Sequence, residues 1–451
     1  MNNVTEIKDI YDIICSASML GNFGLFVGSG FTKAIISDSY EYQAYSWYEL
    51  LEKCCETLNV DKQILKKKGS YSEIASYICK QYSINENKEY EEGILALKST
   101  IADLTNIYPA DDTVERYQGY LSTININWVV TTNYDTILEH IFIGKSLPLG
   151  PEERFIKISD LIPIYHIHGI RTSPDNIIIT NEDYVSLFRP NDYRQSRLPF
   201  LIKESTVLMI GYGLGDINVI TALDWSRNVY TNVCKNYESE IIQLLYKENP
   251  KDKPYRDSSG VLIVEIEDIE IFFQELNLYY QTYSTEYNEK ITYLFDLTKQ
   301  FVSPTDKDVD KFIDDEKHRR GLVAYLSKLS IEFSYIYPSY ISFLKQVIKK
   351  LNDRAIPDGA FGAYDQKLKV LIDILEFIDL KQIPPSFFAF IANALDNVAY
   401  YVGTNRGESW AADRTWRTEK GRIPCETIDE LRKFCANRLS HIYLNYLLTR
   451  Y

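Results

Sequence analysis

The stretch Leu25-Phe26-Val27-Gly28-Ser29-Gly30-Phe31-Thr32 runs from an apolar strand into a glycine-rich turn and then into a helical pattern. Glycines at such a turn let the backbone approach a pyrophosphate closely, and the helix N-terminus that follows offers N–H groups to it. The full G-x-G-x-x-G spacing is not met, because Lys33 stands at the sixth position. Taken alone, the stretch fits a plain tight turn as well as it fits a nucleotide site.

Working outward, further strand-like runs are Trp128–Thr131, Ile162–His166, Ile177–Ile179, Val207–Ile210, Ile241–Leu245 and Val261–Ile266, with Leu25–Val27 the first of the series. Several are near-continuous apolar runs, the pattern of strands buried on both faces of a parallel sheet. Helix and turn signals separate them, so the expected fold is α/β: a doubly wound, Rossmann-like parallel sheet. Residues ~40–120 lack a strong strand and predict a helical insert, while 249–260 has the composition of a loop. Beyond about residue 285 the strand signal disappears. Leu368, Leu371, Ile372 and Leu375 repeat at helical spacing, and Thr427-x-x-Glu430 has the form of a capping box opening a helix that carries Ile428, Leu431, Cys435, Leu439, Ile442 and Tyr446. The reading is one α/β domain over 1–285 and an all-helical domain over 286–451, with a hinge near Ser303-Pro304-Thr305.

Three more polar motifs fall where strands should end, the edge at which open α/β sheets bind ligands. Trp128–Thr131 runs into Thr132-Asn133-Tyr134-Asp135, where Asn133 and Asp135 are site candidates and equally candidate helix caps. Ile164-Tyr165-His166-Ile167-His168-Gly169 places a histidine at a strand exit. His168 suits a general base or a ribose contact, and a structural histidine is the alternative. A metal reading of His-x-His lacks further histidines nearby. Val207–Ile210 enters Gly211-Tyr212-Gly213-Leu214-Gly215-Asp216-Ile217-Asn218, another glycine-rich exit.

Composition bounds the function. With 451 residues, 45% hydrophobic and 25% charged, the chain suits two or three globular domains. The net charge of −14 disfavours non-specific binding to nucleic acid. A local basic stretch, Arg414, Arg417, Lys420 and Arg422, has only Glu419 against it and fits a solvated face. The seven cysteines are scattered with no C-x-x-C pair, which argues against a disulfide framework and a zinc site. No apolar run approaches the ~18 residues of a membrane helix, and the acidic N-terminus does not resemble a signal peptide. The expected setting is cytoplasmic.

The four strand exits together resemble the sirtuin (silent information regulator two) family. Gly28-Ser29-Gly30 resembles the family's Gly-Ala-Gly turn, Thr132-Asn133-Tyr134-Asp135 its Gln-Asn-Ile-Asp, and His168-Gly169 its His-Gly pair. Ile179-Thr180-Asn181-Glu182-Asp183-Tyr184 and the run from Gly211 to Asn218 are similar to the sirtuin-like subgroup of bacterial anti-phage defence. The resemblance covers roughly residues 20–285. Deacylase sirtuins carry a four-cysteine zinc module between the His-Gly pair and the later glycine-rich strand, whereas 169–233 here contain no cysteine. The resemblance therefore implies a zinc-less NAD+ hydrolase that cleaves the nicotinamide–ribose bond and acts by NAD+ depletion in abortive infection. A non-catalytic NAD or ADP-ribose sensor and a protein deacylase are the alternatives. It implies Asn133 and His168 as catalytic. It assigns NAD+ contacts to Gly28, Ser29, Gly30, Thr32, Asp135, Gly211, Tyr212 and Asp216, and it calls for no metal. Asp135 is open between a nicotinamide contact and a helix cap. The apolar helices, Phe387-Phe388-Ala389-Phe390-Ile391 above all, imply a homo-oligomer or a partner such as a HerA-type hexameric ATPase or a phage-sensing protein. No membrane partner is expected.

Overall fold

Strand β1 (Phe23–Val27) is buried along its whole length and is paired in parallel on both sides, by β2 (Trp128–Thr131) and by β5 (Thr206–Ile210). The computed structural model describes residues 4–37, 42–66, 69–154, 156, 158–187, 193–212, 240–355, 361–378, 384–402, 409–436 and 441–450. They form two compact units, Met1–Tyr287 and Asn288–Tyr451.

The sheet of the first unit has the order β3-β4-β2-β1-β5-β6-β8-β7, with β3 Ser146–Leu149, β4 Ile162–His166, β6 Ile241–Tyr246, β7 Tyr255–Arg256 and β8 Leu262–Ile266. Every pairing is parallel except that of β7 with β8. The chain winds from β1 through β2 to β4, then crosses back to β5 on the other side of β1, so the sheet is doubly wound as expected. The four strands whose exits carry the motifs, β4, β2, β1 and β5, are therefore adjacent and parallel, and their C-terminal ends share one edge.

Alternation along the strands divides the core. Phe23, Leu25 and Val27 face one side with Ile14, Leu121, Ile137 and Phe273, while Phe26 faces the other with Trp128, Val130, Leu198 and Ile202. Gly24 is required there: a Cβ would lie 2.2 Å from the Trp128 indole, whose Nε1 donates to Ser205. A second core lies in the helical insert of α3 (Trp47–Thr57), α4 (Tyr71–Glu86) and α5 (Tyr90–Leu104). Ser46 with Glu49, and Ser70 with Glu73, form capping boxes that start α3 and α4.

Three sequence expectations are corrected. Ile177–Ile179 is extended but joins no strand. Ile177 and Ile179 pack into the insert's core, while Ile178 N donates to the His168 carbonyl and its own carbonyl accepts from the Tyr134 hydroxyl. With both polar backbone groups of Ile178 satisfied by the fold around it, this apolar run needs no neighbouring strand. The loop over 249–260 contains the short strand β7, and β3 was not foreseen, since Ser-Leu-Pro-Leu has no strand alternation. Thr427 is not a cap. The helix Cys425–Ala436 starts two residues earlier, directly after Pro424, whose carbonyl accepts from Ile428 N, and Thr427 is buried within it. The long C-terminal segment is two helices, Cys425–Ala436 and Ile442–Arg450, with 437–440 outside the described residues.

The division between units falls within the single helix Ile269–Val302, well before Ser303-Pro304-Thr305. The second unit holds helices that include Asp306–Asp314, Glu316–Ser327, Tyr337–Arg354, Phe361–Phe377, Pro385–Ala399 and Trp410–Glu419. Two residues of its basic stretch are ion-paired: Arg417 with Asp413, and Arg422 with Asp373, Glu376 and Glu419. Phe387 and Ile391 are buried, and Phe388 meets the Phe434 ring edge-on. The unit thus covers part of that apolar helix itself. No described helix is long and apolar enough to cross a membrane.

Candidate active site

The exits of β1 and β2 and the helical insert line a narrow, partly open cleft. Ser29 and Thr32 reach it from helix α2 (Ser29–Ile35), and Thr132, Asn133, Tyr134 and Asp135 from the turn after β2. Trp47 and Leu50 of α3, and Leu104, Thr105 and Ile107 at and beyond the end of α5, form the opposite wall.

At the floor runs a chain of buried polar groups. Asn133 Nδ2 donates to Thr32 Oγ1 at 3.0 Å, and Thr32 Oγ1 donates to Asp135 Oδ2 at 2.9 Å. The other Asp135 oxygen accepts from Ile137 N at 3.2 Å at the start of the helix Ile137–Ile141. Asp135 therefore supports the helix start and lines the cleft at once, while Asn133 caps nothing. Thr32 has one hydroxyl hydrogen, and the carboxylate takes it. The hydroxyl oxygen must then accept from Asn133, so the amide turns its N–H₂ toward Thr32 and its Oδ1 is the acceptor it has left to offer. Burial holds the Asp135 carboxyl above its ordinary range, against the lowering effects of Thr32, Ile137 N–H and His166.

The backbone of Asn133 is equally constrained. Its N–H donates to Thr131 Oγ1 at 3.0 Å, and that hydroxyl donates to the Val27 carbonyl at 2.9 Å. Its carbonyl lies 3.0 Å from His166 Nδ1, and His166 Nε2 lies 2.7 Å from Glu139 Oε1. For His166 burial opposes the charged form, but the hydrogen bond to Glu139 and its charge outweigh burial and hold the imidazole pKa above its usual value.

The remaining predicted residues are placed differently. Gly28, Gly30 and Gly211 bring two turns into backbone contact: Gly28 N donates to Ile210 O, and Gly30 N to Gly211 O, both at 2.9 Å. Gly211 has φ +63°, and a Cβ on it would stand 2.0 Å from Phe31 N. These glycines are needed for close approach between β1 and β5 exits. Tyr212 points into the core, edge-on to Phe26, with its carbonyl accepting from Gln243. His168 is fully buried, not on the cleft surface. Its ring lies 6.0 Å from Trp47 and 5.6 Å from Tyr184, both edge-on, and the Tyr184 hydroxyl is 3.5 Å from Nε2. Gly169, with φ +92°, makes the turn after it. Asp216 lies outside the described residues.

Trp47, Thr105 and the His166–Glu139 pair were not foreseen as site residues. Only the His-x-His spacing carried any signal for them. Among the described residues, no group of three or more His, Cys, Asp or Glu is gathered as for a metal ion.

A parallel, doubly wound sheet with a cleft at its strand exits defines the class of open α/β proteins that bind ligands at this edge. Residues 127–263 match the family described as SIR2-like domain. The chain is also 26% identical over 235 residues to Defense-associated sirtuin 2 of Bacillus subtilis, a match covering 51% of this chain and 21% of that protein. The chain carries a SIR2-like domain, and the resemblance to the sirtuin-like family of bacterial anti-phage defence is borne out. It spans about a fifth of the length of the curated relative it matches.

Proposed function

We propose that the α/β unit is an NAD+ glycohydrolase that splits the nicotinamide–ribose bond and serves as an effector of anti-phage defence by depleting NAD+. The observation that carries this reading is the oriented amide of Asn133 on the cleft floor, with Thr32 and Asp135 behind it. In the reaction the bond from the ribose C1′ to the pyridinium nitrogen breaks, and nicotinamide leaves as a neutral ring with the bonding pair. Water adds to C1′ and loses a proton, giving ADP-ribose. Positive charge develops on the ribose as in glycoside hydrolysis. An amide oxygen held toward that carbon stabilises the charge and orients the water without reorganising. His168 acts as the base for a ribose hydroxyl or the water once the wall formed by Trp47 admits it. Ser29, which lines the cleft, contacts the pyrophosphate.

The test is nicotinamide release from NAD+ by the purified chain, alone and with its genomic neighbours. Asn133→Ala and His168→Ala should each abolish release while leaving the circular dichroism spectrum unchanged, since loss of such a group costs ~10²–10⁴ in rate. Near wild-type turnover in both would overturn the site assignment.

A second reading, a non-catalytic sensor of NAD+ or ADP-ribose, is favoured by one feature: His168 is fully buried beneath Trp47 and Tyr184. Binding of NAD+ with no nicotinamide release under any activating condition would establish it. The helical unit is assigned to control, through a homo-oligomer or a partner such as a HerA-type ATPase or a phage-sensing protein. Its exposed Trp410, Ile442 and Phe361 support a contact role, and a native mass measurement of the complex from its host tests it.

A further inference from the structure

We propose that His166 is a positioning residue for this site: its ring, held by Glu139, fixes the carbonyl of Asn133 and with it the aim of the Asn133 side chain. The inference rests on the reading of Asn133 as the group that faces the reacting carbon.

His166 is the last residue of β4 and pairs in register with Thr131 of β2, two residues before Asn133. Its Nδ1 meets the Asn133 carbonyl, which can only accept, so Nδ1 carries a hydrogen. Its Nε2 meets Glu139 Oε1. One hydrogen serves that contact, either as imidazolium against carboxylate or as neutral imidazole accepting from a carboxylic acid. Both forms leave the hydrogen on Nδ1. Without Glu139, a neutral ring is free to carry its hydrogen on Nε2 and to turn a lone pair toward the carbonyl, which repels it.

Asn133 is thereby gripped at three points, which belong to the two strands β1 and β4 and to helix α2. Its N–H is tied through Thr131 to β1, its carbonyl to the end of β4, and its side-chain N–H₂ to Thr32 beyond β1. Removing the β4 grip lets the peptide rotate while the other two remain. A core-filling role explains the pair poorly. Glu139 Oε2 is buried with no hydrogen-bond partner among the described residues, and a buried pair left partly unsatisfied stabilises less than apolar side chains of the same volume.

Two substitutions separate the ring nitrogens. His166→Asn puts an amide N–H₂ near the position of Nδ1, and His166→Gln puts one near Nε2; both are made in full-length protein together with Glu139→Gln, which removes the buried charge. The Asn variant should keep kcat within about threefold of the Glu139→Gln parent. The Gln variant should lose ~10–100-fold in kcat, the scale of a misplaced catalytic group, with KM changed less than about threefold and with thermal midpoints of the two variants alike. Equal kcat in the two variants overturns the proposal, as does a loss confined to KM. The ring nitrogens are followed independently by ¹⁵N NMR of histidine-labelled wild-type protein, with His166 identified by its absence in the Asn variant. A protonated Nδ1 is expected, and an unprotonated Nδ1 overturns the proposal whether or not NAD+ is cleaved. Absence of nicotinamide release from wild type, with Nδ1 protonated, overturns the glycohydrolase reading instead.

Discussion

Thr32 stands between Asn133 and Asp135, accepting from the Asn133 amide at 3.0 Å and donating to the Asp135 carboxylate at 2.9 Å. Asn133 and Asp135 thus share the hydroxyl of a residue 101 and 103 positions earlier in the chain, and the direction of its hydrogen sets which end of the Asn133 amide is presented to the cleft. Thr32, expected from the sequence resemblance as an NAD+ contact, is in the folded protein the hydroxyl that orients the amide.

Thr32→Val keeps the side-chain volume and removes the hydroxyl. It leaves Asn133 Nδ2 and Asp135 Oδ2 without their buried partner, so nicotinamide release should fall ~10²-fold or more, while Thr32→Ser retains most of it. Steady-state NAD+ assays on the two variants decide this. Comparable activity in both would show that the relay does not matter.

The same chain predicts an acid limit. Burial raises the Asp135 carboxyl above its ordinary value near 3.8. As pH falls through that raised value the carboxyl takes a proton and donates to Thr32, which then donates to Asn133 and turns its amide around. The rate should therefore decline at a pH above the ordinary aspartate range. For stability the sign is opposite to that of a salt-bridged aspartate. A carboxyl whose pKa is raised by folding favours the native state below its unfolded pKa, and that contribution is lost as pH rises through the folded pKa. Asp135→Asn should then be inactive yet no less stable than wild type at neutral pH. A pH–rate profile and thermal unfolding of both proteins check the two halves.

The buried Lys98 and the partly buried Asp183 form an ion pair at 2.8 Å that fastens the segment after Ile177–Ile179 to α5. Asp183 Oδ2 also accepts from Ile179 N, Thr180 N and the Thr180 hydroxyl. Asp183→Ala leaves the Lys98 charge with only the Asp175 carbonyl and removes the acceptor of three further donors, and should cost about 3 kcal/mol. Lys98→Met leaves Asp183 with its backbone donors and should cost less. Urea unfolding that ranks the two the other way would contradict this account.

Gly211→Ala should fail to fold or lose several kcal/mol, since the new Cβ meets Phe31 N at 2.0 Å and φ is +63°. Gly321 offers the contrast. It lies inside the helix Glu316–Ser327 with nothing within 4 Å of an added Cβ. Gly321→Ala should stabilise the second unit by about 0.5–1 kcal/mol. Soluble yield and thermal midpoints are the measurements.

Much of this architecture was legible in the chain itself. Strands buried on both faces have to be apolar without alternation, so β1, β2, β4, β5, β6 and β8 announced themselves, as did the helical spacing around Leu368 to Leu375. The glycine-rich and polar residues at strand exits were equally visible, because a parallel sheet brings all its C-terminal ends to one edge. Run length and hydrophobicity could not settle pairing. Ile177–Ile179 has the composition of a strand, but its backbone bonds go to His168, Tyr134 and Asp183, and only the folded insert supplies those partners. Nor does local sequence say which of two histidines in His-x-His holds Asn133 and which is buried beneath Trp47. His166 ends its strand and the chain turns between it and His168, so that one ring meets the Asn133 carbonyl and the other Trp47. Sequence patterns report one element's exposure at a time. The cleft arises from contacts between residues as far apart as Thr32, Trp47, Asn133 and His166, and those depend on the packing of the insert against the sheet.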